Sequence, residues 1–227
     1  MESVLKQVSG VECSSIASGI KNNGELDLSL ILLCEGSVTA AVFTQNVFCA
    51  APVLVAKNHL SSQVRALLIN SGNAIAGTGK KGLDHTFQSC EIIANEIAID
   101  PQQVLPFSTG VIGQLLPIEP FEKNSTLLAK KLAAENMNQV ARGILTTDFV
   151  EKSHSISFEV DGKTVTLSGI AKGSGMIRPD MATMLSFIFT DIGASQEELQ
   201  DCLSSVSYTH LRAHETEADL VCRLLLE

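Results

Sequence analysis

The sequence predicts an α/β fold of the mixed α+β kind, in which sheets and helices form layers. Short runs of apolar and β-branched residues, typical of strands, are interleaved with longer segments whose apolar residues recur at helical spacing. These segments do not follow the strict strand-helix-strand alternation of a Rossmann domain. With 227 residues, 45% of them hydrophobic, the chain can bury a sizeable core as one large or two small domains.

The N-terminal part is predicted to begin with a β-hairpin. Residues 26–33 and 38–44 are both rich in apolar and β-branched residues, and the Glu-Gly-Ser segment between them is a turn signal. A third strand is predicted over residues 64–69, followed by a turn at Asn-Ser-Gly and a helix over residues 82–99. The segment 70–73 could cradle an anion with its backbone amides or serve only as a structural turn.

The middle of the chain is predicted to contain two short strands and one helix. A strand over residues 104–107 leads into a Ser-Thr-Gly segment. Residues 124–140 have the apolar spacing of an amphipathic helix, for which Asn124 is a plausible N-cap. Residues 143–147 are predicted to form the second short strand.

The C-terminal part carries the clearest turn signal. Residues 155–160 and 164–168 alternate in polarity around Asp161-Gly162, which predicts a β-hairpin. Residues 186–190 are predicted to form a strand. A helix is expected to begin at Gln196, because Ser195 and Glu198 have the spacing of a capping box.

Composition argues against several classes of protein. The 16 basic and 25 acidic residues give a formal net charge of −9 without a basic stripe, which disfavours nucleic acid and favours small metabolites as partners. No apolar run approaches the ~20 residues of a spanning helix, and the N-terminus lacks a secretion signal, so the cytoplasm is expected. The six cysteines show no CxxC spacing, which favours buried thiols and predicts neither a disulfide framework nor a metal site.

The most informative segment is KGSGMIRPDMATML, at residues 172–185. Its glycines and proline allow a tight, strained loop. If the Ala182–Thr183 bond broke, Thr183 would gain a free α-amine with a pKa of about 7.7–8.0, able to take the proton of the threonine's own hydroxyl. The segment therefore predicts self-cleavage between Ala182 and Thr183, with Thr183 as the resulting nucleophile.

This segment resembles the processing site of the ornithine acetyltransferase (glutamate N-acetyltransferase) family, whose precursors cut themselves between Ala and Thr. Further motifs resemble family signatures and follow the family's order, which argues against a chance match. They are VFTQN at residues 42–46 with AAPV at 50–53, NSGNA at 70–74 with TG at 78–79, STGVIG at 108–113, and ILTTD at 144–148. Three positions depart from the pattern: Ile75 and Asp180 replace the usual Asn, and Phe149 stands where Thr is common.

The resemblance sharpens the expected fold to stacked sheets flanked by helices, in a self-processing enzyme with an N-terminal threonine nucleophile. It divides the chain into an alpha-chain region, residues 1–182, and the start of a truncated beta chain, residues 183–203. Residues 204–227 do not resemble the family and are predicted to be a non-native tail. The family's usual assembly implies a heterotetramer of two alpha and two beta chains.

The resemblance also implies an activity, the transfer of acetyl from N²-acetylornithine to L-glutamate in cyclic arginine biosynthesis. Thr183 would carry the acetyl group as an ester and exchange it in two stages. The Thr109 hydroxyl and the Gly110 backbone N–H would form the oxyanion hole. No cofactor is expected, although acetyl-CoA stays open as an additional acetyl donor.

Lys172 and the pair Thr146 and Thr147 are the substrate-binding residues that the resemblance implies. Thr146 is preferred, because alternation along a strand would direct only one of the two toward the substrate. From the residues alone, Lys172 could equally be a solvated loop lysine, and the Thr109-Gly110 pair could simply end a strand. Asp148 and His154 are not assigned acid or base roles, because an N-terminal threonine carries its own base.

Two alternative functions stay open. The first is a self-processed aminopeptidase or amidase of similar architecture, in which water replaces glutamate. The second is a fragment without activity, because the remaining residues of the acetyl pocket lie outside this sequence.

Overall fold

The computed structural model describes the backbone of residues 5–173 and 184–210, with side chains up to residue 207. The strands are β1 (Val11–Ile16), β2 (Leu28–Leu33), β3 (Ala66–Asn73), β4 (Val104–Val111), β5 (Lys152–Val160), β6 (Lys163–Lys172) and β7 (Leu185–Thr190). The helices are α1 (Ala51–His59), α2 (Gly79–Glu96), α3 (Glu119–Lys130), α4 (Met137–Gly143) and α5 (Gln196–His210). Short 3-10 turns lie at Pro101–Gln103 and Ala134–Asn136.

The first sheet has the order β1-β2-β3-β4. The pairs β1–β2 and β2–β3 are antiparallel, whereas β3 and β4 run parallel and are connected through α2. Both faces of the sheet are buried, because successive side chains of a strand point to opposite faces and both sets are apolar. One face packs on α1, α2 and α3 through residues that include Leu30, Leu68, Ile93 and Phe121.

The second sheet has the order β5-β6-β7 and is antiparallel throughout. Its inner face packs on the other face of the first sheet, in a cluster that also takes residues from α4. At the centre of this contact the rings of Phe107 in β4 and Phe187 in β7 meet edge to face, with centroids 4.9 Å apart and planes at 84°. The molecule is therefore a layered α/β structure with stacked sheets flanked by helices, which confirms the predicted fold class.

Several predicted elements are confirmed. The predicted helix at residues 82–99 corresponds to α2, and the strands at residues 64–69, 104–107 and 186–190 correspond to β3, β4 and β7. The predicted hairpin is formed by β5 and β6, with Asp161 and Gly162 at φ values of 50° and 74°, as a tight hairpin turn requires. The capping box of α5 is present, because the Ser195 amide donates to Glu198 Oε2 (2.8 Å) and the Glu198 amide donates to Ser195 Oγ (3.3 Å).

The predicted N-terminal hairpin is wrong. Only its first segment forms a strand, and residues 38–44 adopt no regular secondary structure. β2 lies instead between β1 and β3. β1 was not predicted from the sequence, because the alternation of apolar and polar residues in VECSSI breaks at two serines, both of which are buried. Pairing with β1 on one edge and with β3, which is more than thirty residues away in the chain, on the other satisfies the backbone groups of β2.

The helix predicted at residues 124–140 is also wrong, because two helices occupy this region. α3 begins earlier, with Pro120 in its first turn, where the missing proline amide costs no hydrogen bond. Asn124 lies inside α3 and donates to the Pro120 carbonyl (2.7 Å) instead of capping the helix. The helical run is interrupted because Ala133 exchanges two backbone hydrogen bonds of 3.0 Å with Cys13 of β1.

The strand predicted at residues 143–147 is absent, since Gly143 ends α4 and residues 144–147 form an irregular connection. The segment at 70–73 is not a turn, because it continues β3. The described residues of α5 pass position 203 without a break, and the division of the chain at positions 182 and 203 stays a prediction. Within the described ranges, no helix is both long and apolar enough to cross a membrane.

The contact between the two sheets gives a testable expectation. Replacing buried Phe187 by alanine should lower the free energy of unfolding by about 3–5 kcal/mol, because it removes the ring that packs on Phe107 and leaves a cavity. Replacing Ile188, whose exposed fraction is 54%, should change it by less than about 1 kcal/mol. Denaturant titration measures both values. Equal losses for the two variants would contradict the proposed packing of the sheets.

Candidate active site

The candidate site lies where the parallel strands β3 and β4 end. Gly72 of β3 stands opposite Gly110 of β4. Gly110 has φ +133°, and a Cβ added to it would lie 2.3 Å from the carbonyl carbon of Gly72. Only glycine fits such a close approach of two backbones. The constraint fixes the position of Thr109, the residue before Gly110.

Lys172, the last residue of β6, reaches this point from the second sheet. Its Nζ donates a hydrogen bond to Thr109 Oγ1, although 63 positions separate the two residues in the chain. Both side chains are buried, with exposed fractions of 3% for Lys172 and 7% for Thr109. Lys172 is therefore not a solvated loop lysine. The structure thus brings together Thr109, Gly110 and Lys172, three of the residues selected from the sequence.

Burial and neighbouring charges set the acidity of Lys172. Burial lowers the pKa of its ammonium from 10.5 to about 8. The Asp148 carboxylate opposes this effect and raises the pKa, while the positive charges of Lys152 and Lys21 lower it further. Among the residues that the structure describes, the Asp148 carboxylate is therefore the charge that favours the protonated form of Lys172.

Lys21 is a second, half-buried cation of the site that sequence reasoning missed. Its Nζ donates to the carbonyl oxygens of Leu26 (3.0 Å) and Leu145 (2.8 Å), and burial lowers the pKa of its ammonium. Its backbone is held by the buried carboxylate of Asp27, which accepts hydrogen bonds from the amides of residues 18, 19 and 21. No motif in the sequence marks this lysine, because its contact with residue 145 exists only in the fold.

Asp148 was considered from the sequence and not assigned a role, yet it lies beside Lys172. Its Oδ1 accepts the amide hydrogen of Gly173 (2.9 Å) and a hydrogen bond from Lys152 Nζ. Burial alone would raise the pKa of the Asp148 carboxyl. The hydrogen bonds from Lys152 and Gly173, together with the charges of Lys152 and Lys172, outweigh burial and lower it. Asp148 is therefore an anion at neutral pH, which does not suit a general acid.

Thr146 and Thr147 occupy the irregular connection between α4 and β5, and both are exposed. The strand whose alternation favoured Thr146 over Thr147 is absent, so the preference for Thr146 stays a prediction. The connection is fastened on both sides of the pair: the Leu145 carbonyl accepts a hydrogen bond from Lys21, and Asp148 accepts one from Gly173. The two threonines therefore lie on a segment tied to the site.

Ala182 and Thr183 lie outside the described residues. Gly173 and Met184, the described residues on either side of this segment, are neighbours in space: a Cβ added to Gly173 would lie 3.4 Å from Met184 Cγ. Lys172 pairs with Leu185 across β6 and β7. Both flanks of the segment that carries the predicted cleavage bond therefore lie close to Lys172: Gly173 follows it in the chain, and Met184 precedes its strand partner Leu185.

The segment at 70–73 has a structural role. Asn70 Nδ2 donates to the Asn73 carbonyl (2.8 Å), and Asn73 Oδ1 accepts the amide hydrogen of Ile75 (2.8 Å). The Ser71 amide donates to the Asp27 carbonyl (2.8 Å), so that amide is not directed at an anion. These contacts favour a structural role over an anion cradle, although the segment continues β3 and does not form the predicted turn.

Ile75 has φ +51°, in the left-handed region that asparagine tolerates far better than a β-branched residue. The asparagine that the resemblance leads one to expect at this position would therefore fit the backbone, whereas the isoleucine is strained there. The Ile75 side chain is almost fully buried and belongs to the core between the first sheet and the helices. Burial of the Ile75 side chain therefore stabilises the fold and offsets the strain of its positive φ.

The sequence model of the ArgJ family matches residues 12–213 of this chain. The chain belongs to the ArgJ family. The family recognised from the sequence motifs is thereby confirmed.

Curated ArgJ proteins resemble this chain over most of its length. The arginine biosynthesis bifunctional protein ArgJ of Pseudomonas syringae pv. tomato is 47% identical over 199 residues, which are 88% of this chain and 49% of that protein. The protein of the same name from Pseudomonas fluorescens is 45% identical over 199 residues, which again are 88% of this chain and 49% of that protein. The chain spans about half the length of the curated relatives that it matches.

Two solved ArgJ-type structures share the fold. The arginine biosynthesis bifunctional protein ArgJ of Bacillus halodurans is 36% identical with a TM-score of 0.71, and the alignment covers 78% of this chain and 92% of the other. The ornithine acetyltransferase of Mycobacterium tuberculosis, solved with ornithine, is 29% identical with a TM-score of 0.68, and the alignment covers 78% and 94%. Both agree with the layered α/β architecture described above.

The burial of Lys172 predicts how the free energy of unfolding should change with pH. The pKa of Lys172 is about 8 in the folded protein and 10.5 when unperturbed. Between these values the unfolded chain holds a proton that the folded chain has released, so the free energy of unfolding should gain a contribution that rises with pH across this window. Lys172→Met should remove that rise.

Urea titrations between pH 7.5 and 10.5 on the native chain and on Lys172→Met measure the contribution as a difference between the two proteins. Lys163→Met, at the exposed start of the same strand, is the control and should keep the rise. Parallel pH curves for the native chain and Lys172→Met would contradict the burial of the lysine.

Proposed function

We propose that this chain forms part of an acetyltransferase that moves acetyl from N²-acetylornithine to L-glutamate in the cyclic route of arginine biosynthesis. The names of its relatives support this reaction: two are arginine biosynthesis bifunctional proteins, and one is an ornithine acetyltransferase solved with ornithine. The observation that carries the proposal is the buried hydrogen bond from Lys172 to Thr109, next to Gly110.

This geometry suits the stabilisation of an oxyanion. Acyl transfer passes through a tetrahedral intermediate whose oxygen carries a negative charge, and donors fixed in advance lower its free energy. Thr109 Oγ1 accepts a hydrogen bond from Lys172, so the hydroxyl's own hydrogen is directed elsewhere and can be donated to such an oxygen. The nearby ammonium strengthens that donation, because charges interact more strongly in a buried site than in water.

In this proposal Thr183 is the nucleophile after the Ala182–Thr183 bond is cut. Its oxygen attacks the acetyl carbonyl of N²-acetylornithine, its α-amine accepts the hydroxyl proton, and ornithine leaves with that proton on its own amine. The α-amine of glutamate then attacks the acetyl ester, and the threonine hydroxyl is restored. The proximity of Gly173 and Met184, on either side of the segment, supports this assignment.

The lengths of the relatives also support a cut near the middle of the protein. Each solved relative is covered over more than nine-tenths of its length by 78% of this chain, so each is shorter than this chain. The curated relatives are about twice as long as the part that matches. Cleavage at the position proposed here would divide such a protein into polypeptides of comparable size.

The remaining parts of the proposal concern binding and assembly. Lys172 offers a cation to a substrate carboxylate, and Thr146 and Thr147 offer hydroxyls on the segment tied to the site. The reaction needs no resident cofactor, with acetyl-CoA proposed only as an additional donor. We further propose that the complete enzyme is cytoplasmic and assembles from two alpha and two beta chains.

Self-cleavage can be tested on this chain alone. Intact mass should reveal two polypeptides, the second of which begins at Thr183, and Thr183→Ala should leave a single uncut chain because it removes the attacking hydroxyl. Thr183→Ser keeps a hydroxyl and should still be cut. Thr190→Ala, at the end of β7, is the matched control and should be cut like the native chain. Cutting of the alanine variant at the same bond would exclude Thr183 from the mechanism.

The acetyl exchange itself is best measured with the chain extended to full ArgJ length. Thr109→Val removes one proposed oxyanion donor and should lower kcat by about 10²–10³-fold with little change in KM, because the donor acts mainly on the transition state. Thr109→Ser retains the hydroxyl and should lose much less. Hydrolysis of acetylornithine without transfer to glutamate would instead support the amidase alternative.

A further inference from the structure

The backbone N–H and C=O of Gly173 both bind the same ion pair. Asp148 Oδ1 accepts its amide hydrogen (2.9 Å), and Lys152 Nζ donates to its carbonyl oxygen (2.7 Å). Asp148 and Lys152 also bind each other directly. Three groups therefore form a closed triangle of hydrogen bonds, here called the Gly173 clamp.

The clamp lies where the sheet no longer supports β6 from one side. The ladder between β5 and β6 ends at the pair Lys152 and Ala171. Lys172 and Gly173 extend beyond it, and the side chains of Asp148 and Lys152 take the place of a strand partner. The residue that the clamp secures is the immediate neighbour of Lys172, whose ammonium must reach Thr109.

Stability alone does not explain the clamp. The Lys152 side chain is 48% exposed, and ion pairs with an exposed partner contribute little to folding. The Asp148 side chain is 2% exposed, and within residues 5–173 and 184–207 its buried Oδ2 has no hydrogen-bond donor. Burying a carboxylate with one oxygen unsatisfied is unfavourable. A role in arranging the neighbouring charges accounts for its presence.

We propose that Asp148 and Lys152 are positioning residues that clamp the backbone N–H and C=O of Gly173 and thereby hold the Lys172 ammonium against Thr109. Asp148 also supplies a negative charge that favours the protonated form of Lys172, against the effects of burial and of the positive charges on Lys152 and Lys21. For its catalytic meaning the inference rests on the proposed function. The geometry can be tested without any measurement of activity.

The test follows the titration of the Lys172 side chain by ¹³C NMR, with its signal identified by its loss in Lys172→Arg. Asp148→Asn keeps the shape and the acceptor oxygen but removes the charge, and should lower the titration midpoint by on the order of one pH unit. Lys152→Met removes a like charge and should raise the midpoint. Glu119→Gln breaks a fully exposed ion pair of the same i,i+4 spacing in α3 and is the matched control.

The expected shifts of the Lys172 midpoint, downward in Asp148→Asn and upward in Lys152→Met, separate this proposal from a purely structural role. Simple loosening of the region would expose Lys172 and raise its midpoint toward 10.5 in both variants. The exchange rate of the Gly173 amide gives a second readout, and Asp148→Ala should increase it on the order of tenfold because the amide loses a charged acceptor. An unchanged or raised midpoint in Asp148→Asn, or unchanged amide exchange in Asp148→Ala, would overturn the clamp.

Activity in the chain extended to full ArgJ length then connects the clamp with catalysis. Asp148→Asn should move the basic limb of the pH–rate profile to lower pH, in step with the NMR midpoint. NMR shifts as expected in a protein that transfers no acetyl would refute the proposed function and leave the clamp intact. An unmoved pH profile in an active enzyme would overturn the catalytic part of the inference.

Discussion

The contact between Lys172 and Thr109 is the interaction on which the arrangement of the candidate site depends. It joins the end of β6 in the second sheet to the end of β4 in the first, so it can form only when both sheets are packed on each other. The rings of Phe187 and Phe107 pack on each other between the same two sheets, in the core. The close approach of Gly72 and Gly110 fixes the other partner, because no side chain fits between those backbones.

Local signals in the sequence predicted those parts of the fold that short segments decide by themselves. The Asp161-Gly162 turn, the capping box before α5 and the helical spacing of α2 each involve residues close together in the chain, and the structure confirms all three. The failures involve distant partners. β2 pairs with β1 and β3 instead of forming the predicted hairpin, and contact with Cys13 interrupts the predicted helix at Ala133. Spacing along the chain carries no information about such pairings.

The candidate site shows the same division. Thr109, Gly110 and Lys172 were found through motifs that resemble a known family, and the structure brings them together. Asp148 and Lys21 escaped assignment because their roles come from contacts with Gly173 and Leu145, which no local pattern encodes. Ile75 is the converse case. The sequence marked it as a departure from the family, and only its positive φ and deep burial give that departure a physical meaning.

The place of β7 in the sheet has a consequence for the polypeptide after scission. Leu185 begins β7 only two positions beyond Thr183, so a cut before the threonine would assign β7 and α5 to a different molecule from β6. The ladder with β6 and the burial of Phe187 and Phe189 would persist, because none of these contacts depends on the severed bond. The two pieces would migrate together in native electrophoresis and separate only in detergent, so covalent continuity and structural integrity would be independent properties of this protein.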